Sequence, residues 1–154
     1  MIQIYVDADA CPVKEEVFRV ARRHGLDVHV VANSTLRMPP DARFHLVVVR
    51  GGQLDAADDW IAERVTPLDV VVTADIPLAD RCLKAGARVL DPRGRLFSPE
   101  SIGSALASRE ISAFLRDMGE MGTGPKPFSD RDRSAFLNML ENQIQALLKV
   151  ARRG

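Results

Sequence analysis

Two rhythms of apolar residues alternate along this chain. Short, nearly unbroken β-branched runs give way to stretches in which apolar residues return every third or fourth position. The first rhythm suits buried strands, the second helices with one buried stripe. Ile2-Gln3-Ile4-Tyr5-Val6 opens the chain as a strand. Past Pro12, Val13, Val17 and Val20 recur beside Phe18 and Ala21, with Lys14, Glu15, Glu16, Arg19, Arg22 and Arg23 on the polar face. Gly25 closes that helix behind a basic last turn. Val28-His29-Val30-Val31-Ala32 is a second strand, ending at Asn33-Ser34. A loop with Pro39-Pro40 leads to a third over residues 44–49, ending at Arg50-Gly51-Gly52. Asp55 then begins a helix whose buried positions are Ala57, Ile61 and Val65. Asp69-Val70-Val71-Val72-Thr73 is a fourth strand, apolar throughout as a central parallel strand should be. Ala74-Asp75-Ile76-Pro77 turns into a helix through Leu78, Ala79, Cys82 and Leu83, stopped by Gly86. Arg88-Val89-Leu90 makes a fifth strand before the turn Asp91-Pro92-Arg93-Gly94.

Strands and helices alternating in this way predict an α/β fold: a mostly parallel central sheet of about five strands, helices on both faces and right-handed crossovers. The last third reads differently. Ser98-Pro99 is a helix start, with the helix expected to reach about residue 118. Residues 119–127 hold three glycines and two prolines and read as a flexible surface loop. Ser129 with Asp132 approximates a capping box. Phe136, Leu137, Leu140, Ile144, Leu147, Leu148 and Ala151 then form one apolar stripe. Such a stripe packs a helix on its own domain; the alternative is a homodimer surface. The expected organisation is an α/β domain over residues 1–118, with a loop and C-terminal helix over 119–154 packing on it.

Composition narrows the class. A chain of 154 residues, 46% apolar and 27% charged, suits one domain with a real core. No run approaches the roughly 18 apolar residues of a membrane span, so no membrane partner is expected. The N-terminus lacks the basic and apolar regions of a signal peptide. Cys11 and Cys82 show neither metal-type spacing nor a disulfide framework. A reducing cytoplasm is therefore the expected location. The formal net charge is zero, so total charge does not announce a nucleic-acid partner.

The chemistry gathers at the predicted strand ends, where open α/β sheets bind ligands. Asp7 and Asp9 follow the first strand; Asp55, Asp58 and Asp59 follow the third; Asp75 and then Asp80 follow the fourth. Asp9 also fits a plain helix cap before Pro12. Asp7 does not, and an ionised carboxylate beside Val6 at the end of a buried strand is costly without a cation or hydrogen-bond donors. Taken singly, acids in first helical turns are ordinary partners of the helix dipole. Taken together, with the first, third and fourth strands as near neighbours, they would share one rim and repel unless a hard divalent ion such as Mg²⁺ or Mn²⁺ neutralised them. An ion so held supports phosphodiester hydrolysis. Lys14, Arg37, Arg50 and Lys126 would position phosphates, with Asn33 and Ser34 lining the same cleft. Cys11 at a helix start is a weaker, nucleophilic candidate, and His24, His29 and His45 read as packing residues. No Walker or dinucleotide-type glycine loop is present.

Val6-Asp7-Ala8-Asp9-Ala10-Cys11-Pro12-Val13-Lys14 resembles the opening signature of the YaiI/YqxD family of uncharacterised bacterial proteins. Asp55-Ala56-Ala57-Asp58 before Trp60-Ile61, Asp69 to Asp75 with Leu78-Ala79, and Gly124-Pro125-Lys126-Pro127-Phe128 resemble its later motifs. This resemblance covers nearly the whole chain. It implies a PIN-like three-layer fold, whose nucleases gather acidic residues around Mg²⁺ or Mn²⁺ and cut RNA or flap-like DNA. Carried over by position, Asp7 matches the first PIN aspartate and Asp75 the aspartate of the Thr-x-Asp pattern. Asp58 matches the acid on the intervening helix, with Asp55 close behind. Asp9, Cys11 and Pro12 lie outside the general PIN pattern. The first expectation is thus a metal-dependent nuclease acting on RNA or another nucleic acid. Asp7, Asp58 and Asp75 would be catalytic, with Asp9 and Asp55 also near the ion. Two alternatives stand beside it: a non-catalytic RNA- or protein-binding domain, and a phosphatase resembling haloacid dehalogenases, with Asp7 as nucleophile and Asp9 as general acid.

Overall fold

The computed structural model describes residues 1–9, 11–49, 56–104 and 127–153. Strands β1 (Gln3–Asp7), β2 (Asp27–Ala32), β3 (Phe44–Val48), β4 (Val70–Val72) and β5 (Arg88–Leu90) form one sheet in the order β3-β2-β1-β4-β5. Every pairing is parallel, with Ile4 opposite both Val28 and Val70, and Val6 opposite both Val30 and Val72. Each strand is nearly all apolar because both of its faces are covered. Even positions of β1 (Ile4, Val6) join Val28, Val30, Val70 and Val72 under α1 (Lys14–His24) and the C-terminal helix (Asp130–Arg153). Odd positions such as Tyr5 join Val31, Val71 and Val89 under α2 (Ala56–Ala62) and α3 (Ile76–Lys84). The architecture is α/β, three layers deep. The chain winds outward from β1 to β3, then returns to place β4 against the other side of β1. That reversal opens a crevice at the carboxyl ends of β1 and β4, the usual ligand position of such sheets.

The C-terminal helix completes one of the two cores. Phe136, Leu140, Ile144 and Leu147 are buried from its stripe, while Leu137 and Leu148 are half-buried and pack on the same cluster; Ala151 is exposed. Ser129 caps the helix as its spacing with Asp132 suggests: Ser129 Oγ accepts from the Asp132 N–H, and Asp132 Oδ2 accepts from the Ser129 N–H at 3.0 Å. Across to α1, Arg133 pairs with Glu16 and His24 with Glu141, both at 2.7 Å. The other two histidines stack on the sheet, His29 lying 5.0 Å from the Tyr5 ring and 4.9 Å from that of His45.

Three local expectations shift. The first helix begins at Lys14, not at Pro12: Val13 is its cap residue with no side-chain capping bond, so Asp9 does not cap it. The second stops at Ala62, which leaves buried Val65 in the following turn. Asp69, read as the first residue of a strand, is buried just before β4, and its carboxylate accepts from the N–H groups of Gln3 (3.1 Å) and Thr66 (2.8 Å). It thereby ties the start of β1 to the turn before β4. Residues 99–104 are helical after Ser98. The expected continuation to residue 118 and most of the 119–127 loop lie outside the described residues.

Candidate functional site

At the crevice, one hydroxyl joins the Asp7 carboxylate to the backbone of Asp75. Asp7 ends β1 and is buried; Thr73 follows β4 and is buried; their side chains meet, with Thr73 Oγ1 donating to Asp7 Oδ2 at 2.8 Å. The same Oγ1 accepts the Asp75 N–H at 3.0 Å, and Asp75 Oδ1 accepts the Leu78 N–H at 2.9 Å. Asp75 is thus the cap of α3, with Pro77 in the first turn, a local arrangement that Asp-Ile-Pro favours. The parallel register sets up the bridge: Val6 lies opposite Val72, so the next residue of each strand, Asp7 and Thr73, emerges at the same level.

Burial pushes the Asp7 carboxyl above its ordinary range. The Thr73 hydroxyl and the Asp9 N–H oppose that shift, and the nearby charges of Asp75 and Asp9 add to it. A buried acid facing two like charges is the electrostatic setting in which a cation or a proton is wanted. The Cys11 thiol, also buried, is pushed up chiefly by burial, the opposite of an activated nucleophile.

Two clefts flank this bridge. On the β2 side a cleft of about 340 Å³ is lined by Asp7, Asp9, Asn33, Ser34, Leu36 and Ala57 among others, so Asn33 and Ser34 do share a cleft with both N-terminal carboxylates. On the β5 side a larger cleft, about 530 Å³, is lined by Pro12, Ala74, Leu96, Phe97 and Phe128 with the arginines of the turn after β5. The sequence reading did not single out this second cleft. Its one signal was that Asp91-Pro92-Arg93-Gly94 also follows a strand end.

Of the remaining described acids, Asp58 and Asp59 lie on α2 and Asp80 on α3. β3 lies two strands from β1, with β2 between, so the acids after β3 do not reach the rim through strand adjacency. Asp58 sits in the first turn of α2, next to Ala57, and its charge is felt by Arg81 and Cys82 on α3; Asp59 pairs with Arg81 at 2.7 Å, and Asp80 with Lys84. Among the described residues, no group of three His, Cys, Asp or Glu side chains is arranged to hold a metal ion. Lys14 donates to the Cys11 carbonyl at 3.2 Å, near the start of α1. Asp55, Arg50 and Lys126 lie outside the described residues. No described helix is long and apolar enough to cross a membrane.

The model of the uncharacterised bacterial YaiI/YqxD family matches residues 5–146, from β1 into the C-terminal helix. The chain belongs to this family. Similar proteins include a UPF0178 protein of Rhodopseudomonas palustris strain HaA2, 57% identical over 98% of this chain and 90% of the relative. Another, from Azorhizobium caulinodans, is 58% identical over 95% and 91%. A third, from Caulobacter sp. strain K31, is 54% identical over 99% of this chain and the whole of the relative. No solved structure matches this YaiI/YqxD chain.

Replacing Thr73 by Val separates the hydroxyl's two roles from its volume. Removing a donor to the carboxylate favours the protonated form, so the Asp7 pKa will rise further in Thr73→Val. Carbon-detected NMR titration of the aspartate side chains reads this directly, and an Asp7 titration that stays put or falls would refute the bridge.

Proposed function

We propose that the protein is a Mg²⁺- or Mn²⁺-dependent hydrolase that cuts phosphodiester bonds, with RNA as substrate. The observation that carries this reading is the Asp7–Thr73–Asp75 bridge. A buried carboxylate is pushed toward protonation by burial and by two acidic neighbours, at the crevice where parallel α/β sheets place their ligands. The PIN-like resemblance carried by Asp7, Thr73 and Asp75 points the same way. The donor set fits such an ion: hard carboxylate oxygens suit Mg²⁺ and Mn²⁺, and Mg²⁺ is commonly held by one or two carboxylates with waters and substrate phosphate filling the rest. Asp7 and Asp9, which line the β2-side cleft, are the pair that would hold it, and Asp75, whose charge reaches Asp7, is a further candidate. Asp58, beside the cleft-lining Ala57, is the next candidate, and Asp55 the one after.

When bound, the ion supplies an activated water and positive charge for the leaving oxygen. The chain's own groups do the rest. Thr73 holds the Asp7 side chain and the Asp75 main chain with one hydroxyl, while the Leu78 N–H holds the Asp75 carboxylate. Burial of Asp7 keeps its negative charge poorly solvated until a cation arrives. Asn33 and Ser34 offer neutral hydrogen-bonding groups to a strand lying in the cleft, and Lys14, Arg50 and Lys126 offer charge to its phosphates.

Calorimetric titration of Mn²⁺ into the wild type is expected to show binding that Asp7→Asn abolishes. Cleavage of a labelled RNA should require the ion, stop with EDTA and fall sharply in Asp75→Asn. Cleavage that persists in EDTA, or that is unchanged in Asp75→Asn, would overturn the reading. Metal and RNA binding without any turnover would instead favour a binding domain.

A further inference from the structure

We infer that the β5-side cleft is a nucleobase pocket: it receives the base of one nucleotide next to the phosphate held at the carboxylate rim. This deepens the reading above and rests on it for the position of the phosphate. Four observations meet here. The cleft is large, about 530 Å³, within the range of small-molecule sites. Its described lining is mainly apolar, with the rings of Phe97 and Phe128 beside Pro12, Pro92 and Leu96, and it also includes Asp91, Arg93 and Ser101. Base stacking on such surfaces contributes roughly 1–3 kcal/mol per base without demanding a particular sequence. The lining includes Ala74, which lies in the chain between Thr73 and Asp75, so a base seated here stands beside the rim. Finally, Arg95 is exposed in the same lining, where a guanidinium suits a phosphate on the ligand's outer side.

The walls are built in advance. Asp91 Oδ1 accepts the N–H groups of both Arg93 and Arg95 at 2.9 Å, which folds the turn after β5 back on itself. Arg93 then pairs with Asp132 of the C-terminal helix at 2.7 Å, and the Arg93 and Arg133 guanidiniums lie 5.9 and 5.2 Å from the centre of the Phe128 ring. Leu96 forms a bridge with Leu90, and the Phe97 N–H donates to Val89. A pocket fixed in this way loses little freedom when a ligand enters, which favours binding.

The test is calorimetric, on the full chain in EDTA, so that no metal or turnover is needed. The probes are adenosine 5′-monophosphate, adenosine and inorganic phosphate. The nucleotide should bind saturably, adenosine more weakly and phosphate weakest. Leu96→Glu, a change at a side chain already 40% exposed, should weaken the nucleotide by about tenfold or more by placing a like charge in the pocket. Arg95→Ala should weaken the nucleotide and leave adenosine unchanged. No saturable nucleotide binding, equal binding of phosphate and nucleotide, or nucleotide binding unmoved by Leu96→Glu would overturn the inference. The two readings fail separately: nucleotide binding without metal-dependent RNA cleavage leaves the pocket and removes the nuclease, and cleavage without nucleotide binding does the reverse.

Discussion

On the proposed reading, Asp7→Asn is expected to lower RNA cleavage by on the order of 10³-fold, the scale seen when a preorganised charged or polar group is taken from an active site, and at the same time to stabilise the metal-free protein. The two effects have one origin. The folded-state pKa of Asp7 is raised, first by burial and then by Asp75 and Asp9, so the folded chain holds a proton at Asp7 more tightly than the unfolded chain does. Stability from this group is therefore fully present below the unfolded value near 3.8, and is lost as pH rises through the folded value. Above that window the ionised carboxylate opposes folding. Asparagine keeps the shape and an oxygen for the Thr73 hydroxyl, and it removes the charge. Thermal melts in EDTA at neutral pH should show a higher Tm for Asp7→Asn than for the wild type, and added Mn²⁺ should raise the wild type alone. A variant with lower Tm in EDTA would mean that the carboxylate is structural, and retained cleavage would remove Asp7 from the mechanism.

Gly94→Ala is the most damaging single change in the turn that walls the β5-side cleft. Gly94 has φ +87°, in the left-handed region, and an added Cβ would stand 2.6 Å from the Ala135 carbonyl carbon and 2.7 Å from both the Ala135 oxygen and the Phe136 nitrogen. The obstacle is helix backbone, so no rotamer change relieves it. The left-handed conformation costs about 1–2 kcal/mol for a residue with a Cβ, and overpacking typically adds 1–3. The expected loss is about 3 kcal/mol, or roughly 10 °C in Tm. Ala135→Gly should not rescue it, because the atoms in the way belong to the main chain. A melting temperature within a degree or so of wild type would show that the turn does not press on the helix.

Much of this molecule was legible one element at a time. The five strands announce themselves through short β-branched runs, and Gly25 and Gly86 stop their helices where expected, both with positive φ. The Ser129–Asp132 cap follows from spacing alone, and the stripe from Phe136 to Leu147 follows from helical period. What one-dimensional pattern does not contain is which strand lies beside which. With β2 between β1 and β3, the adjacency expected of the first and third strands is not what brings α2 near the Asp7 rim; Ala57 of α2 lines the same cleft as Asp7. The start of α1 moved to Lys14 because Pro12 and Val13 are taken into a turn, with the Cys11 N–H directed at the Ala8 carbonyl. The β5-side cleft escaped for a similar reason: its shape depends on Gly94 meeting Ala135, two residues brought together only by tertiary packing. Asp7 and Asp75 stand out in the sequence because their signals are local: Asp7 ends β1, and Asp75 caps α3 shortly after β4.

The placement of β1 at the centre of the sheet has a consequence for synthesis. The Thr73 hydroxyl that secures Asp7 comes 66 residues later, and the Phe136–Leu147 stripe that closes one side of the sheet comes later still. A nascent chain that has emerged only as far as β3 can pair three strands, but it leaves the apolar row of Ile4, Val6, Val28 and Val30 incompletely covered and Asp7 in water. Such exposed sheet is the aggregation-prone species of vectorial folding, and the long loop closure between β1 and β4 makes its lifetime long relative to local helix formation. The contact between Asp7 and Thr73 therefore forms only once β4 has emerged, and a shorter nascent chain carries Asp7 without its hydroxyl donor.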